Sequence, residues 1–270
     1  MYSENNFTLV TGASHGIGRA LCQEFAKRGH NLFLIALPDA DLQTVEKELN
    51  SNFDIKVKSL GIDLSEKNAP LTIRNFADKN NIKVNVLVNN AGIGSGGLFK
   101  NSNMSLNSHI MMLNNHAMVG LTYYFMKDLI DLSPSYILNI SSMEATLPLP
   151  YKTVYTGTKN FIYSFSLALG EELKPDNVKV AIACPGSVAT SEDGLKRIKT
   201  MGWKAKLILK TPEEVAQTSI KNMYKGRRVI IPGFFPKFIM WFMHFMPVSL
   251  KMIILERVFR SYKDHQHRKM

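Results

Sequence analysis

Phe7-Thr-Leu-Val10, then Thr11-Gly-Ala-Ser-His-Gly-Ile-Gly18, then Arg19-Ala-Leu-Cys-Gln-Glu-Phe25 is the stretch that decides the fold. The apolar run has the pattern of a buried strand, glycines follow at once, and the residues beyond them have a helical pattern. Glycine allows a tight turn there and lets backbone N–H groups come close to a phosphate at the positive end of a helix. Gly-rich turns are common, so the weight lies in the context of strand before and helix after.

Short apolar runs recur at Phe7–Val10, Leu32–Ala36, Ile55–Ser59, Val84–Val88, Tyr136–Ile140, Val178–Cys184 and Arg228–Ile231, with helical patterns between them. This alternation predicts an α/β fold, a parallel sheet of about seven strands covered on both faces. One helix start is well marked: Thr211 as N-cap, Pro212 at the first helical position and Glu214 at the capping-box position, with the helix running to about Tyr224. At 270 residues, 45% of them hydrophobic and 20% charged, the chain suits one large core. It contains no repeat and no internal linker rich in Pro, Gly or Ser. Cys22 and Cys184 lie far apart in apolar contexts, and no basic-then-apolar leader follows Met1, so a reducing, cytoplasmic setting is expected.

The net charge of +11 is local. Lys196 to Lys210 holds six basic residues and no acid, and from Lys237 onward there are seven basic residues and two acids, which together account for the whole excess. A uniformly basic protein points to nucleic acid. Two basic segments fit an anionic ligand or an anionic membrane surface better, or else are solvated lysines. After Pro232 the sequence turns to Phe-Phe-Pro-Lys-Phe-Ile-Met-Trp-Phe-Met-His-Phe-Met-Pro247, and Phe238–Met246 is apolar nearly all round. Nine such residues between two prolines fall short of the ~20 a membrane-spanning helix needs. A lid on an apolar pocket, a subunit contact and an interfacial membrane anchor all remain open for this extension.

Tyr155-Thr-Gly-Thr-Lys159 places a phenol and an ammonium four residues apart, on one face of a helix. The lysine charge can favour the phenolate and bring the tyrosine closer to working pH. Such pairs also arise by chance on solvated helices. Together, however, Thr11 to Gly18, Asn89-Asn-Ala-Gly92, Ser142, Tyr155 to Lys159 and Pro185-Gly186 resemble the short-chain dehydrogenase/reductase family in order and spacing. Tyr155 lies thirteen positions after Ser142, and Asn114 twenty-five positions after Asn89. The resemblance covers Phe7 to about Ile231.

It implies a single Rossmann-type, doubly wound parallel sheet flanked by helices, in a domain of residues 1–235 with a substrate loop at 190–211. Residues 236–270 would then form an apolar helical extension with a basic end. It implies Tyr155 as general acid or base at the substrate oxygen. Lys159 would hold the nicotinamide ribose and depress the tyrosine pKa, Ser142 would hydrogen-bond the substrate oxygen, and Asn114 would hold a water in a proton relay with Lys159. Ser141 and Asn115 are adjacent competitors, and Tyr151 lacks a lysine four residues on. For the cofactor it implies contacts from Gly12, Ser14, His15, Gly16, Ile17 and Gly18 in the glycine loop. Asp63 is placed at the adenine, Asn90 at its ribose and Val188 with Thr190 around the carboxamide, with Ala91, Gly92, Tyr155, Lys159, Pro185 and Gly186 as further cofactor contacts. Asp63 before Leu and Ser could instead cap a turn, and Asn89 to Gly92 could simply close a strand. Cys184 has the character of a small buried strand residue rather than a reactive thiol. No metal is implied.

The position that selects the cofactor departs from pattern. An acid at Ala36 would favour NAD and an arginine at Leu37 would favour NADP, and the chain has neither. His15 could assist a phosphate and Asp39 oppose one, which leans slightly to NADP. Ser141 to Tyr155 and Phe165 to Glu171 are similar to a branch containing 3-oxoacyl-CoA reductases and 17β-hydroxysteroid dehydrogenases. The expected activity is interconversion of a ketone and a secondary alcohol by a homodimer or homotetramer, with a lipid-like substrate such as a 3-oxoacyl thioester. A steroid or small-carbonyl dehydrogenase, or a catalytically idle nucleotide-binding module at a membrane, stays as the alternative.

Overall fold

Each of the seven expected strands joins one sheet in the computed structural model, which describes residues 5–188 and 209–263. The chain runs β1 (Asn6–Thr11), α1 (Gly16–Ala26), β2 (Asn31–Ala36), α2 (Ala40–Asn52), β3 (Val57–Gly61), α3 (Ala69–Lys79), β4 (Lys83–Asn89), α4 (Met104–Met111) and α5 (Ala117–Asp131). It continues through β5 (Ser135–Ile140), α6 (Thr153–Glu172), β6 (Val178–Ala183), a small parallel pair of β7 (Ser187–Val188) with β8 (Leu209–Lys210), α7 (Pro212–Tyr224), β9 (Val229–Ile230), α8 (Phe234–Phe245) and α9 (Val248–Phe259). The sheet order is β3-β2-β1-β4-β5-β6-β9, and every pairing is parallel. Strand order therefore reverses between β1 and β4, and a crevice opens beyond their carboxyl ends, where doubly wound folds bind ligands.

Both faces of the sheet are covered, which is why its strands are apolar runs rather than alternating ones. Val10, Leu32, Leu34, Val86 and Val88 face α1, α2 and α7, with Phe25, Leu49 and Ile220 packed on them. Phe7, Leu9, Phe33, Ile35 and Leu87 face α3, α5 and the end of α6, against Ile73, Phe125 and Leu173. Each of the large side chains is worth roughly 1.5–3 kcal/mol when fully buried. Thr211 and Glu214 make the reciprocal capping box that starts α7.

One strand departs from expectation. The third run was expected at Ile55–Ser59 but pairs as Val57–Gly61, with Leu32 opposite Val57. The backbone N–H of Lys56 is taken by the Asn31 side chain, and Ile55 packs onto the core from outside the ladder. Buried His30, between α1 and β2, ties two distant elements: Nδ1 pairs with the Thr8 hydroxyl at 2.9 Å and Nε2 with the Tyr224 hydroxyl at 3.0 Å. Burial, and then the Arg28 charge, lowers this histidine to about 4.

The extension forms two helices, α8 and α9. Met243 and Leu255 are buried against Leu147 and Leu149, just after β5, with Met246 and Phe259 alongside. Among the described residues no helix is long and apolar enough to cross a membrane.

Candidate active site

The crevice is shaped first by backbone. Gly12 and Gly16 sit in the left-handed region, at φ +64° and +51°. A Cβ on Gly18 would lie 1.9 Å from the Gly12 carbonyl oxygen, so the loop can close on α1 only with glycine there. The Asn90 amide donates to the Thr11 carbonyl at 2.8 Å, and the Thr11 hydroxyl accepts from the N–H groups of Asn90 and Ala91 at 2.9 and 3.0 Å. These bonds stitch the end of β4 to the glycine loop and leave the α1 N-terminus aimed into a cavity of about 900 Å³.

Ser14, His15, Gly16 and Ile17 line one end of that cavity, with Gly12 at its floor and Asp63 beside Ala36, Leu37 and Asp39. Asn90, Ala91 and Gly92 line its middle, and Ser142, Tyr155, Lys159, Pro185, Gly186 and Val188 the far end. Its size, its helix N-terminus and its glycine floor fit a dinucleotide with the phosphates at α1. Gly18 does not line it and acts through the close packing beneath the loop. Thr190 and the basic run from Lys196 lie outside the described residues, except for Leu209 and Lys210 in β8. Asp63 does cap a turn, accepting from the Ser65 N–H at 2.8 Å. Burial opposes its ionisation, but the Ser65 hydrogen bonds and His109 hold it below the usual carboxylate value.

Helix α6 carries Tyr155 and Lys159 on one face, with Lys159 buried and its Nζ donating to the Ile140 carbonyl at 3.0 Å. Burial lowers this ammonium to about 8, partly opposed by Cys184. Tyr155 is pushed the other way, up to about 12, by burial first and then by the Glu144 charge, with the Ser142 hydrogen bond opposing. The expected depression by Lys159 is therefore not found. Its ammonium is 5.9 Å from the Tyr155 ring centre, and one of its three N–H groups donates to the Ile140 carbonyl.

Ser142 caps a short 3-10 turn at Met143–Thr146, its hydroxyl accepting from the Glu144 N–H at 3.1 Å, and the same side chain opposes the rise of the Tyr155 phenol. Neighbouring Ser141 lines the same cavity, but its hydroxyl donates to the Lys159 carbonyl at 2.9 Å and so anchors α6. Asn114 sits in a π turn, Met112–His116, between α4 and α5. Its amide nitrogen donates to the Ile93 carbonyl and the Thr158 hydroxyl, both at 3.0 Å, and its oxygen accepts from the Ile93 N–H at 3.0 Å. The side chain is thus a clamp behind the site, lining an adjoining small cavity. A Cβ on Gly92 would meet Asn114 Oδ1 at 3.0 Å and Lys159 Nζ at 3.5 Å, which puts that glycine between them. Asn115 bonds the Thr158 carbonyl instead, and Asn89 bonds Asn139 inside the sheet. Buried Cys184 is raised to about 12 and inert as a nucleophile.

Several residues of the site carried no sequence signal. His109 and Leu113 reach the cavity from α4 and the π turn, and Gly94 packs on the Tyr155 ring, where an added Cβ would be 3.5 Å away. Glu144 pairs with Lys152 at 2.8 Å, and its second oxygen is buried with no hydrogen-bond partner among the described residues. Two residues after Ser142, it was visible in sequence but had no motif to mark it.

The chain is similar to a very-long-chain 3-oxoacyl-CoA reductase of Laccaria bicolor, with 27% identity over 97% of this chain and 76% of that protein. Another of that name, from Kluyveromyces lactis, is 32% identical over 71% of this chain and 57% of the relative. A solved 7β-hydroxysteroid dehydrogenase shares the fold at a TM-score of 0.81, with 19% identity over 93% of this chain and 96% of that one. The family model for short chain dehydrogenase matches residues 6–199. This chain belongs to the short-chain dehydrogenase/reductase family, NAD(P)-dependent oxidoreductases acting on CH–OH groups.

Proposed function

We propose that the chain reduces a lipid-like ketone to its secondary alcohol, with a 3-oxoacyl thioester as the substrate class. The observation that carries this is the convergence of Ser142, Tyr155 and Lys159 at one end of the cavity, and the segment that joins Ser142 to Tyr155 carries Leu147 and Leu149, which pack with Met243 and Leu255 of the apolar extension. The very-long-chain 3-oxoacyl-CoA reductases among its relatives support the same class.

Bound nicotinamide supplies the hydride. The chain's own groups handle the oxygen: Ser142 and Tyr155 donate hydrogen bonds to the carbonyl oxygen, and Tyr155 gives its proton as the alkoxide develops. A phenol raised to about 12 is fully protonated near neutrality, which is the state reduction needs. Lys159 holds the ribose and returns the proton, with Asn114 as the positioning residue behind it. We take NADP as the preferred nucleotide on the strength of His15 at the phosphate end of the cavity, although His15 also faces Asp41 at 2.9 Å.

On this reading residues 1–235 are the catalytic domain, 190–211 the substrate loop and 236–270 the extension, in a cytoplasmic protein held at membranes from their surface. Self-association through α5 and α6, where Tyr123 and Phe161 are exposed, gives a dimer or tetramer. The test is nucleotide oxidation with NADPH and NADH over a chain-length series of 3-oxoacyl thioesters. We expect kcat/KM for long chains at least ~10-fold above short ketones, as a few buried methylenes supply. Equal rates along the series would sink the lipid reading, and a preference for NADH would sink the assignment of NADP.

A further inference from the structure

Among the described residues of helices α8 and α9, Met243 and Leu255 turn inward onto Leu147 and Leu149. On α8, Phe238, Trp241, Phe242 and Phe245 are half or more exposed, from 50% to 69%. Their rings form one surface: Phe238 to Trp241 is 6.3 Å between centres, Phe238 to Phe242 6.4 Å and Trp241 to Phe245 5.3 Å. Exposed Val248, Leu250, Ile253 and Val258 extend it along α9. Singly exposed apolar residues are ordinary, but a continuous aromatic face marks a place where something docks.

The charges beside it indicate what. Lys237, Arg257, Arg260 and Lys263 are exposed and Lys251 is half-buried. The one acid of α9, Glu256, is held by Tyr151 and Arg260. From Lys237 onward the sequence carries seven basic residues against two acids. A second copy of this chain would bring the same positive charge onto itself, whereas an anionic lipid surface complements it.

We propose that the α8–α9 pair is a docking surface for an anionic lipid bilayer, with both helices lying in the headgroup region. Each has 12 residues, about 18 Å of helix against the ~30 Å of a hydrocarbon core, so the pair lies on the membrane rather than across it. The same helices pack against the segment that joins Ser142 to Tyr155. The Tyr151 hydroxyl donates to Glu256 at 2.8 Å, and the Lys152 ammonium lies over the rings of Tyr262 and Phe259 at 4.5 and 5.4 Å. Lys152 also pairs with Glu144, two residues from Ser142. Docking thus brings the segment that joins Ser142 to Tyr155 to the lipid surface, and a ketone dissolved in the bilayer approaches the site from that side. That consequence rests on the proposed lipid substrate, but the docking itself does not.

The experiment uses the full chain carrying Trp203→Phe, which leaves Trp241 as its only tryptophan. Vesicles of phosphatidylcholine, with or without phosphatidylglycerol, are the probes. Expected are co-sedimentation with the anionic vesicles at low salt, a blue shift of Trp241 emission, and quenching by brominated lipid. High salt should weaken binding at least ~10-fold. Trp241→Glu with Phe245→Glu should abolish it while turnover of a short water-soluble ketone is unchanged, and Lys237→Glu with Arg257→Glu should remove the preference for anionic lipid. Absence of pelleting at low salt overturns the proposal. So does light scattering that shows this face joining two copies with no vesicle bound. Vesicle binding without turnover of any ketone supports the docking surface and counts against the catalytic reading alone.

Discussion

Burial and the Glu144 carboxylate both push the Tyr155 phenol upward, while Lys159, itself desolvated, is tied to the Ile140 carbonyl. The pair therefore favours proton donation, which suits ketone reduction, and the reverse reaction must first ionise a reluctant phenol. Removing the Glu144 charge should ease that ionisation. Glu144→Gln is expected to move the basic pKa in the pH profile of alcohol oxidation downward by roughly one unit, the scale on which a nearby like charge acts. A profile that does not move would show that Glu144 exerts no field on the phenol. The spacing of Ser142, Tyr155 and Lys159 was legible in sequence because helix geometry and chain order fix it. The direction of the tyrosine's shift was not, because it depends on how deeply each group is buried and on Glu144, which no motif marks.

The glycine loop and α6 show opposite uses of glycine. Gly18 is packed against the Gly12 carbonyl, so Gly18→Ala should weaken nucleotide binding at least ~10-fold in a fluorescence titration, or cost the fold itself. Gly157 sits exposed in α6, and a Cβ there meets nothing within 4 Å. Gly157→Ala should leave nucleotide affinity alone and raise unfolding free energy by about 0.5–1 kcal/mol, the difference in helix propensity. Equal losses in both variants would mean that the loop's close contact is not what holds the nucleotide. Elements with local chemistry were readable, as the Thr211–Glu214 capping box shows. β3 slid two residues because a side chain elsewhere, Asn31, took the Lys56 N–H. The π turn at Met112–His116, which aims Asn114 at Ile93, joins α4 to α5 in one helical run, and the apolar periodicity of that run does not mark it.

Across the whole molecule, alternating apolar runs were enough to give the parallel sheet, because both faces are buried and every strand reports it. Contacts that join distant segments were not readable, and His30 is the clearest. It is buried as the neutral ring between β1 and α7, with its pKa lowered from 6.5 to about 4. The unfolded chain binds this proton first as pH falls, so stability is full above about 6.5 and is lost on the way down to about 4. The loss is of order 3 kcal/mol. His30→Gln should flatten that part of the curve in denaturant titrations, and parallel curves for the two proteins would contradict it.

The reduction assigned to this cavity depends on one proton, and Tyr155→Phe removes it while keeping the ring. Single-turnover oxidation of bound NADPH by a long-chain 3-oxoacyl thioester is the direct measurement. The rate should fall by about 10³-fold or more, within the range for loss of a general acid that also holds the substrate oxygen, with nucleotide affinity unchanged. A variant that turns over within ~10-fold of the parent would contradict the mechanism at its centre.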